Sequence, residues 1–171
     1  MKIVDLEEKL SFSEFEVDYY VPASIRFPKN NLVGGQMMYY QFLNAKDSFI
    51  EIIICADTKK IVSVTLTSIN DIQEKEINID SFCEGTPIID LNVFCENRLV
   101  IDKGEFNIFK SNKNIYFILN GETINNTIKV SEHLFLFINN KNKIIGANFF
   151  GFTKFEWNEI EEKIKNSVFP N

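Results

Sequence analysis

The amino-acid sequence predicts a mainly β protein that ends in one docked α-helix, and three observations carry that prediction. Residues 48–70, "SFIEIIICADTKKIVSVTLTSIN", read as two strands and a turn, and "EHLFLFINNKNKIIGANFFGF" at 132–152 echoes the pattern. Asn, Gly and Pro recur at short intervals between them, as they do where short strands alternate with turns. After Phe152 the apolar pattern changes to helical spacing behind a capping signal. The strands are expected to form antiparallel sheets, arranged as a sandwich or as two related β lobes. With 171 residues, 45% of them hydrophobic, the chain can bury a sizeable core, and residues 1–171 are read as one domain.

Taken in order, Val4 to Leu10 allows a helical turn, and alternation from Phe12 to Val17 suggests a weak strand that stops at Pro22. Pro28 and Gly34-Gly35 mark a loop from about 22 to 35, and "QMMYYQFL" supplies the next strand. Within the first hairpin, Val62, Val64 and Leu66 are apolar while Ser63, Thr65 and Thr67 face the other way, the period of a strand with one wet side. Its partner, with Ile50, Ile52 and Ile54 on one face and Phe49 and Ile53 on the other, is expected to be covered on much of both sides. Asp57 to Lys60 is the connection. Shifted by 83 residues, Lys60-Ile61 falls on Lys143-Ile144, and Val62, Val64 and Leu66 fall on Ile145, Ala147 and Phe149. The hairpins 48–70 and 132–152 thus form an internal pseudo-repeat, which true duplication or ordinary hairpin texture would both explain.

Between the hairpins, "EFNIFK" and "NIYFILNG" are strands joined by Ser111-Asn112-Lys113, and Asn120-Gly121 signals another hairpin turn. The stretch 71–104 is looser, broken by Gly85, Pro87 and Gly104, with "IIDLNVF" and "RLVI" as short strand candidates. At the end, Thr153 and Glu156 fit a capping box, and Phe152 and Trp157 a hydrophobic staple. Trp157, Ile160, Ile164 and Val168 then give one apolar helix side.

The net charge of −6 is concentrated in one place. From 71 to 105 nine acids face three bases, which accounts for the whole excess and leaves fifteen of each sign elsewhere. Such a segment repels nucleic acid, which is bound by neutralising phosphates with Lys and Arg, and attracts a basic partner. Asp80, Glu84, Asp90, Glu96, Asp102 and Glu105 are the candidate partner-binding residues. Solvation of a loop-rich surface explains the same acids without a partner.

Catalytic and metal chemistry find little footing. Cys55, Cys83 and Cys95 form no CxxC pair and read as reduced thiols, mostly buried. His133, the single histidine, opens an apolar strand and fits an edge residue better than a general base. Neither a nucleophile elbow, a zinc-protease helix nor a dinucleotide loop is present. The chain is therefore expected not to be an enzyme, with no cofactor and no metal. Tyr19, Tyr20, Tyr39, Tyr40 and Tyr116 suit strand packing or an interaction surface. The N-terminus "MKIVDLEEKL" lacks the apolar core of a secretory signal, and no apolar run could span a bilayer. A cytoplasmic location without membrane association follows as an expectation. Sixteen lysines against two arginines, with abundant Ile, Asn and Phe, suggest an AT-rich bacterial gene.

The order "MMYYQFLNAKDSFIEIIICADTKKIVSVTLTSI", then "EFNIFKSNKNIYFIL", then "LFLFINNKNKIIGANFFGFTKFEWNEIEEKI" resembles small acidic immunity proteins of bacterial polymorphic-toxin and contact-dependent growth inhibition systems. The resemblance covers about two thirds of the chain and rests on strand and turn texture. It implies a protein that binds a cognate basic toxin domain, often a nuclease, and neutralises it by covering its active site or binding beside it. A small-molecule or lipid-binding β-protein, or a structural subunit of a bacterial assembly, are the other classes open to this sequence.

Overall fold

The computed structural model describes residues 1–17, 21–94 and 97–168, the last four of these by their backbone alone. In chain order the elements are β1 (Ile3–Glu7), β2 (Glu14–Glu16), β3 (Ala23–Arg26), β4 (Met37–Leu43), β5 (Phe49–Cys55), β6 (Ile61–Ser68), β7 (Ile72–Glu74), β8 (Cys83–Glu84), β9 (Thr86–Ile89), β10 (Leu99–Asp102), β11 (Phe106–Ser111), β12 (Asn114–Leu119), β13 (Asn126–Lys129), β14 (Leu134–Ile138), β15 (Ile144–Phe149) and α1 (Lys154–Val168). Two 3-10 turns, Pro28–Asn30 and Leu91–Phe94, interrupt the connections. The protein is mainly β with one C-terminal helix, as the alternation and the capping signal predict.

Two large sheets follow the same path. The six-stranded sheet has the order β10-β4-β5-β6-β3-β2, and the seven-stranded sheet, taken from its β8 edge, β8-β13-β14-β15-β12-β11-β7. Strands β2 to β6 and β11 to β15 therefore trace one route: a hairpin, a crossover, and a three-stranded meander that returns beside the hairpin, in the manner of a Greek key. Each meander also carries a parallel strand on its first member, β10 on β4 and β8 on β13. Likeness between 48–70 and 132–152 is thus part of a five-strand correspondence. Lys59 and Asn142, 83 residues apart, even share a left-handed backbone, with φ of 58° and 57°. The sheets are mixed, because β7 pairs in parallel with β11 as well.

Several elements differ from the sequence reading, each for a long-range reason. Val4 to Leu10 holds no helical turn: β1 pairs with β9 from Ile3 to Glu7, and that ladder takes the backbone groups a helix would use. Loop 22–35 contains β3, whose Ala23 and Ile25 are fully buried between β2 and β6. "IIDLNVF" is divided, β9 ending at Ile89 before the 3-10 turn. Gly121 does make a tight turn at φ 76°, but β12 and β13 are separated by β15 and β14, so the turn opens a crossover. The two-residue hairpin lies one turn earlier, at Asn112 and Lys113, both with positive φ.

The sheets meet face to face. Phe42 of β4 lies 5.4 Å, centroid to centroid, from Phe117 of β12, which also contacts Phe106. Ile25, Ile50, Ile52, Val64 and Leu66 from one sheet share a single apolar cluster with Ile108, Ile115, Leu136 and Ala147 from the other. The two-stranded ribbon β1–β9 joins the two hairpin turns: Lys59 O accepts from Ile89 N, and Asn142 O from Ile3 N. Helix α1 starts as expected. Thr153 N donates to Glu156 at 2.7 Å, Glu156 N donates to the Thr153 hydroxyl at 3.2 Å, and Phe152 stacks on Trp157. Ile160 and Ile164 then enter the core; the Val168 side chain lies outside the described residues.

Gly146, in the centre of β15, is required by close approach. A Cβ there would stand 2.2 Å from Phe117 O and 3.1 Å from a Phe137 ring carbon. Since backbone cannot retreat as a flexible side chain can, Gly146→Ala should cost about 3 kcal/mol. Urea unfolding of the variant, showing a lower midpoint at unchanged slope, is the measurement.

Candidate partner-binding surface

The acid-rich stretch forms a belt along the sheet edges, exposed over residues 73–76 and 80–84 and buried at Thr86, Ile89 and Phe94. After β6 the chain adds β7 to the β11 edge of the seven-stranded sheet, then crosses to the opposite edge, where β8 joins β13. It continues as β9 beside β1 and finishes as β10 on the edge of the six-stranded sheet. Three sheet edges thereby gain a covering strand, which satisfies backbone groups that would otherwise template aggregation. Parallel caps need long crossovers, so the segment is irregular for a topological reason.

Between β7 and β8, residues 75–82 form a strap over the outer face of the seven-stranded sheet. Phe109, Tyr116, Asn148, Phe135 and Lys129 form one row across that face. Strap and face meet at both ends: the Lys75 ammonium sits 5.0 Å above Phe109, and Phe82 lies 5.3 Å from Phe135 with the Lys129 ammonium 5.7 Å from the centre of the Phe82 ring. The Tyr116 hydroxyl donates to Lys75 O at 3.0 Å, and the Ser111 hydroxyl donates to Glu76 at 2.7 Å. Ile77 and Ile79 pack on the core while Asn78 and Asp80 are exposed. That alternation in "EINID" is the sequence signal of the strap, and reading 71–104 as merely loose misses it.

The six candidate acids are spread along this belt. Asp80 is exposed on the strap and makes no hydrogen bond or ion pair among the described residues. Glu84 pairs with Lys129 at 3.1 Å. Asp90 accepts from Asn92 N at 3.0 Å. Asp102 is half-buried and accepts from the Tyr40 hydroxyl at 2.8 Å and from Gly104 N at 2.9 Å. Glu105, exposed, accepts from Ala45 N at 3.2 Å; Glu96 lies outside the described residues. Burial and the charge of Lys143 lower the Met1 amine to about 6, while the charges of Asp102 and Asp90 act in the opposite sense. Asp80, Glu84 and Glu105 offer outward charge, whereas Asp102 is committed to the interior. Elsewhere in the segment, Asp71 pairs with Lys46, and Glu74 with Lys110 at 3.3 Å.

Clefts border the belt. One of about 500 Å³ lies along the strap, lined by Ile77 to Cys83, Ile124 to Thr127 and Phe137. One of about 540 Å³ is charged, between Glu74, Lys110 and Glu161. The third, about 350 Å³, is apolar and includes Val4, Leu6, Ile128 and Ile138. Asn148 is buried in the aromatic row, and its Oδ1 has no hydrogen-bond partner among the described residues.

Other singled-out residues have structural settings. His133 Nδ1 lies 3.3 Å from Phe150 O, and its ring lies beside Phe15. Cys55 is fully buried; burial pushes its thiol up, but hydrogen bonds from Thr58 and the backbone of Leu32 and Asp57 outweigh that and hold it below the usual range. Cys83 is exposed, a correction to the expectation of mostly buried thiols that follows from its place on an edge strand two residues long. Cys95, Tyr19 and Tyr20 lie outside the described residues. Among the described residues no group of three or more His, Cys, Asp or Glu is placed to hold a metal ion, and no helix is long and apolar enough to cross a membrane.

Replacing Ile77 and Ile79 together by Ser should loosen the strap and destabilise the fold by roughly 2–3 kcal/mol, while Asp80→Ser should stay within about 0.5 kcal/mol. Denaturant midpoints and binding of a hydrophobic dye to the uncovered face measure this. A second expectation concerns pH. Burial and the hydrogen bond to Asp102 hold the Tyr40 phenol well above its usual range. Its stabilising contribution is intact below the unfolded phenol value of about 10 and is lost as pH rises beyond it. Between pH 8 and 12 the melting temperature should therefore fall above pH 10, and less steeply in Tyr40→Phe than in the native chain.

Comparison with known protein families and with curated protein sequences gave no match.

Proposed function

We propose that this protein is a non-catalytic binder that neutralises a basic protein partner, as an immunity protein neutralises its cognate toxin domain. The observation that carries the reading is the position of the acid-rich segment: it runs along the sheet edges with Asp80, Glu84 and Glu105 turned outward. A nuclease-type toxin presents a basic cleft, and an acidic surface raises the rate of encounter and disfavours wrong partners. The resemblance in strand and turn texture supports the same class, and with it a cytoplasmic site of action. Direct binding of nucleic acid is disfavoured by the net charge of −6. A second reading, a small ligand held beside the strap, is favoured by the 500 Å³ cleft.

The test is co-expression with the product of the adjacent reading frame. Specific relief of that product's toxicity, absent with an unrelated acidic protein, is expected. The variant Asp80→Lys/Glu84→Lys/Glu105→Lys should associate at least about tenfold more slowly at low salt, measured by stopped-flow fluorescence, with the difference shrinking as salt rises. A non-toxic neighbour, or toxicity left unrelieved, would transfer weight to the ligand reading, which native mass spectrometry of the purified protein checks directly.

A further inference from the structure

Among the described residues, one buried side-chain oxygen lacks a hydrogen-bond partner: Oδ1 of Asn148, a residue only 3% exposed. Burial of this kind forfeits the hydration of the amide and gains no bond in exchange. Asn148 stands on the outer face of the seven-stranded sheet, paired across strands with Tyr116 and Phe135. Those two rings are where the strap rests: the Tyr116 hydroxyl donates to Lys75 O, and Phe135 meets Phe82. The unpartnered amide therefore lies between the points at which the two ends of residues 75–82 touch the face.

The strap is fastened at its ends and not along its length. Lys75 N donates to Lys110 O at 3.1 Å and Glu76 accepts from the Ser111 hydroxyl, while Cys83 and Glu84 pair with β13. Residues 77–82 make no hydrogen bond or ion pair among the described residues. They are held by Ile77 and Ile79, both half-buried, and by the Phe82 ring, itself 47% exposed. One flank is undercut, because the cleft of about 500 Å³ lies along Ile77 to Cys83 and reaches Phe137. A segment with few buried contacts and a solvated backbone belongs to the low end of a protein's local stabilities.

We propose that residues 77–82 are a lid, hinged at Glu76 and Cys83, which opens while both sheets stay folded, and that Asn148 sets how often it does so. Closing the lid strips water from Asn148 Oδ1 and opening restores it, so the amide biases the equilibrium toward the open form. Ile77, Ile79 and Phe82 bias it toward the closed one. The open form presents to solvent the rings of Tyr116, Phe135 and Phe137, all buried in the closed form. The lid does not depend on the identity of any partner, so it stands or falls apart from the neutralising role.

The test places a thiol on the lid. In Ile79→Cys, alkylation by iodoacetamide, resolved by site through peptide mass mapping, should proceed in native buffer. Its urea dependence at position 79 should be less than about half that of global unfolding. Cys55, fully buried in the other sheet, serves as the internal control and should be alkylated only as the whole protein unfolds. Adding Asn148→Leu, or the smaller Asn148→Val, should slow alkylation at position 79 by roughly tenfold, since neither side chain regains hydrogen bonds to water when the lid lifts. Alkylation at position 79 with the full urea dependence of global unfolding would overturn the lid, and this result needs no Asn148 variant. Local alkylation that Asn148→Leu and Asn148→Val both leave unchanged would show the amide buried in the open form as well, and would overturn its part in the bias.

Discussion

Phe42 against Phe117 is the contact on which the architecture turns. A Greek-key sheet of six or seven short strands leaves a broad apolar face, and among the described residues neither sheet has a helix layer of its own to cover it. Each inner face therefore serves as the other's cover, and the apolar cluster runs through both without a break. Two hairpin turns, Asp57 to Lys60 and Asn139 to Lys143, end at positions that the β1–β9 ribbon can bridge. The ribbon pairs strands far apart in sequence and bonds to both turns. Helix α1 is held by Ile160 and Ile164 in the core and by the Phe152–Trp157 stack at its start.

From that pairing the belt follows. With the inner faces taken, the aromatic outer row of the seven-stranded sheet still needs burial, and its edges still expose backbone. One continuous segment meets both needs by running edge, face, edge. A strap one chain thick shows alternate residues to water, which places Asn78 and Asp80 outward opposite Ile77 and Ile79. Edge strands in turn favour charge as a guard against pairing with other chains. The concentration of acids between 71 and 105 therefore has a structural origin, and Lys46, Lys110 and Lys129 offset several of them locally.

Sequence legibility followed contact range. The hairpins β5–β6, β11–β12 and β14–β15 were readable because pairing partners lie within a few residues of each other, and the capping box because its four residues are contiguous. Strands β1, β3, β7 and β8 were not, since two to five residues carry no usable period and their partners are distant in sequence. For the candidate surface, the acid excess was plain in the composition, but its spreading around the molecule depends on the route of the chain. Asp102 shows the limit clearly: in sequence it is one more acid, and only folding brings Tyr40 to it across 62 positions. Leu99 and Ile101 read as ordinary strand residues, because nothing local reveals that their side of β10 faces outward.

The spread of the acids also constrains how the proposed binding can work. At physiological salt, exposed charges act over roughly 8 Å, so acids on different edges of two sheets cannot all press on one small contact. What they share is the far field, set by the net charge of −6, and a far field changes encounter rates more than residence times. Residence needs desolvated contact at a defined place. The strap demonstrates which contact this fold can make with an extended chain, namely apolar residues at alternate positions set on a sheet face with cations over aromatic rings.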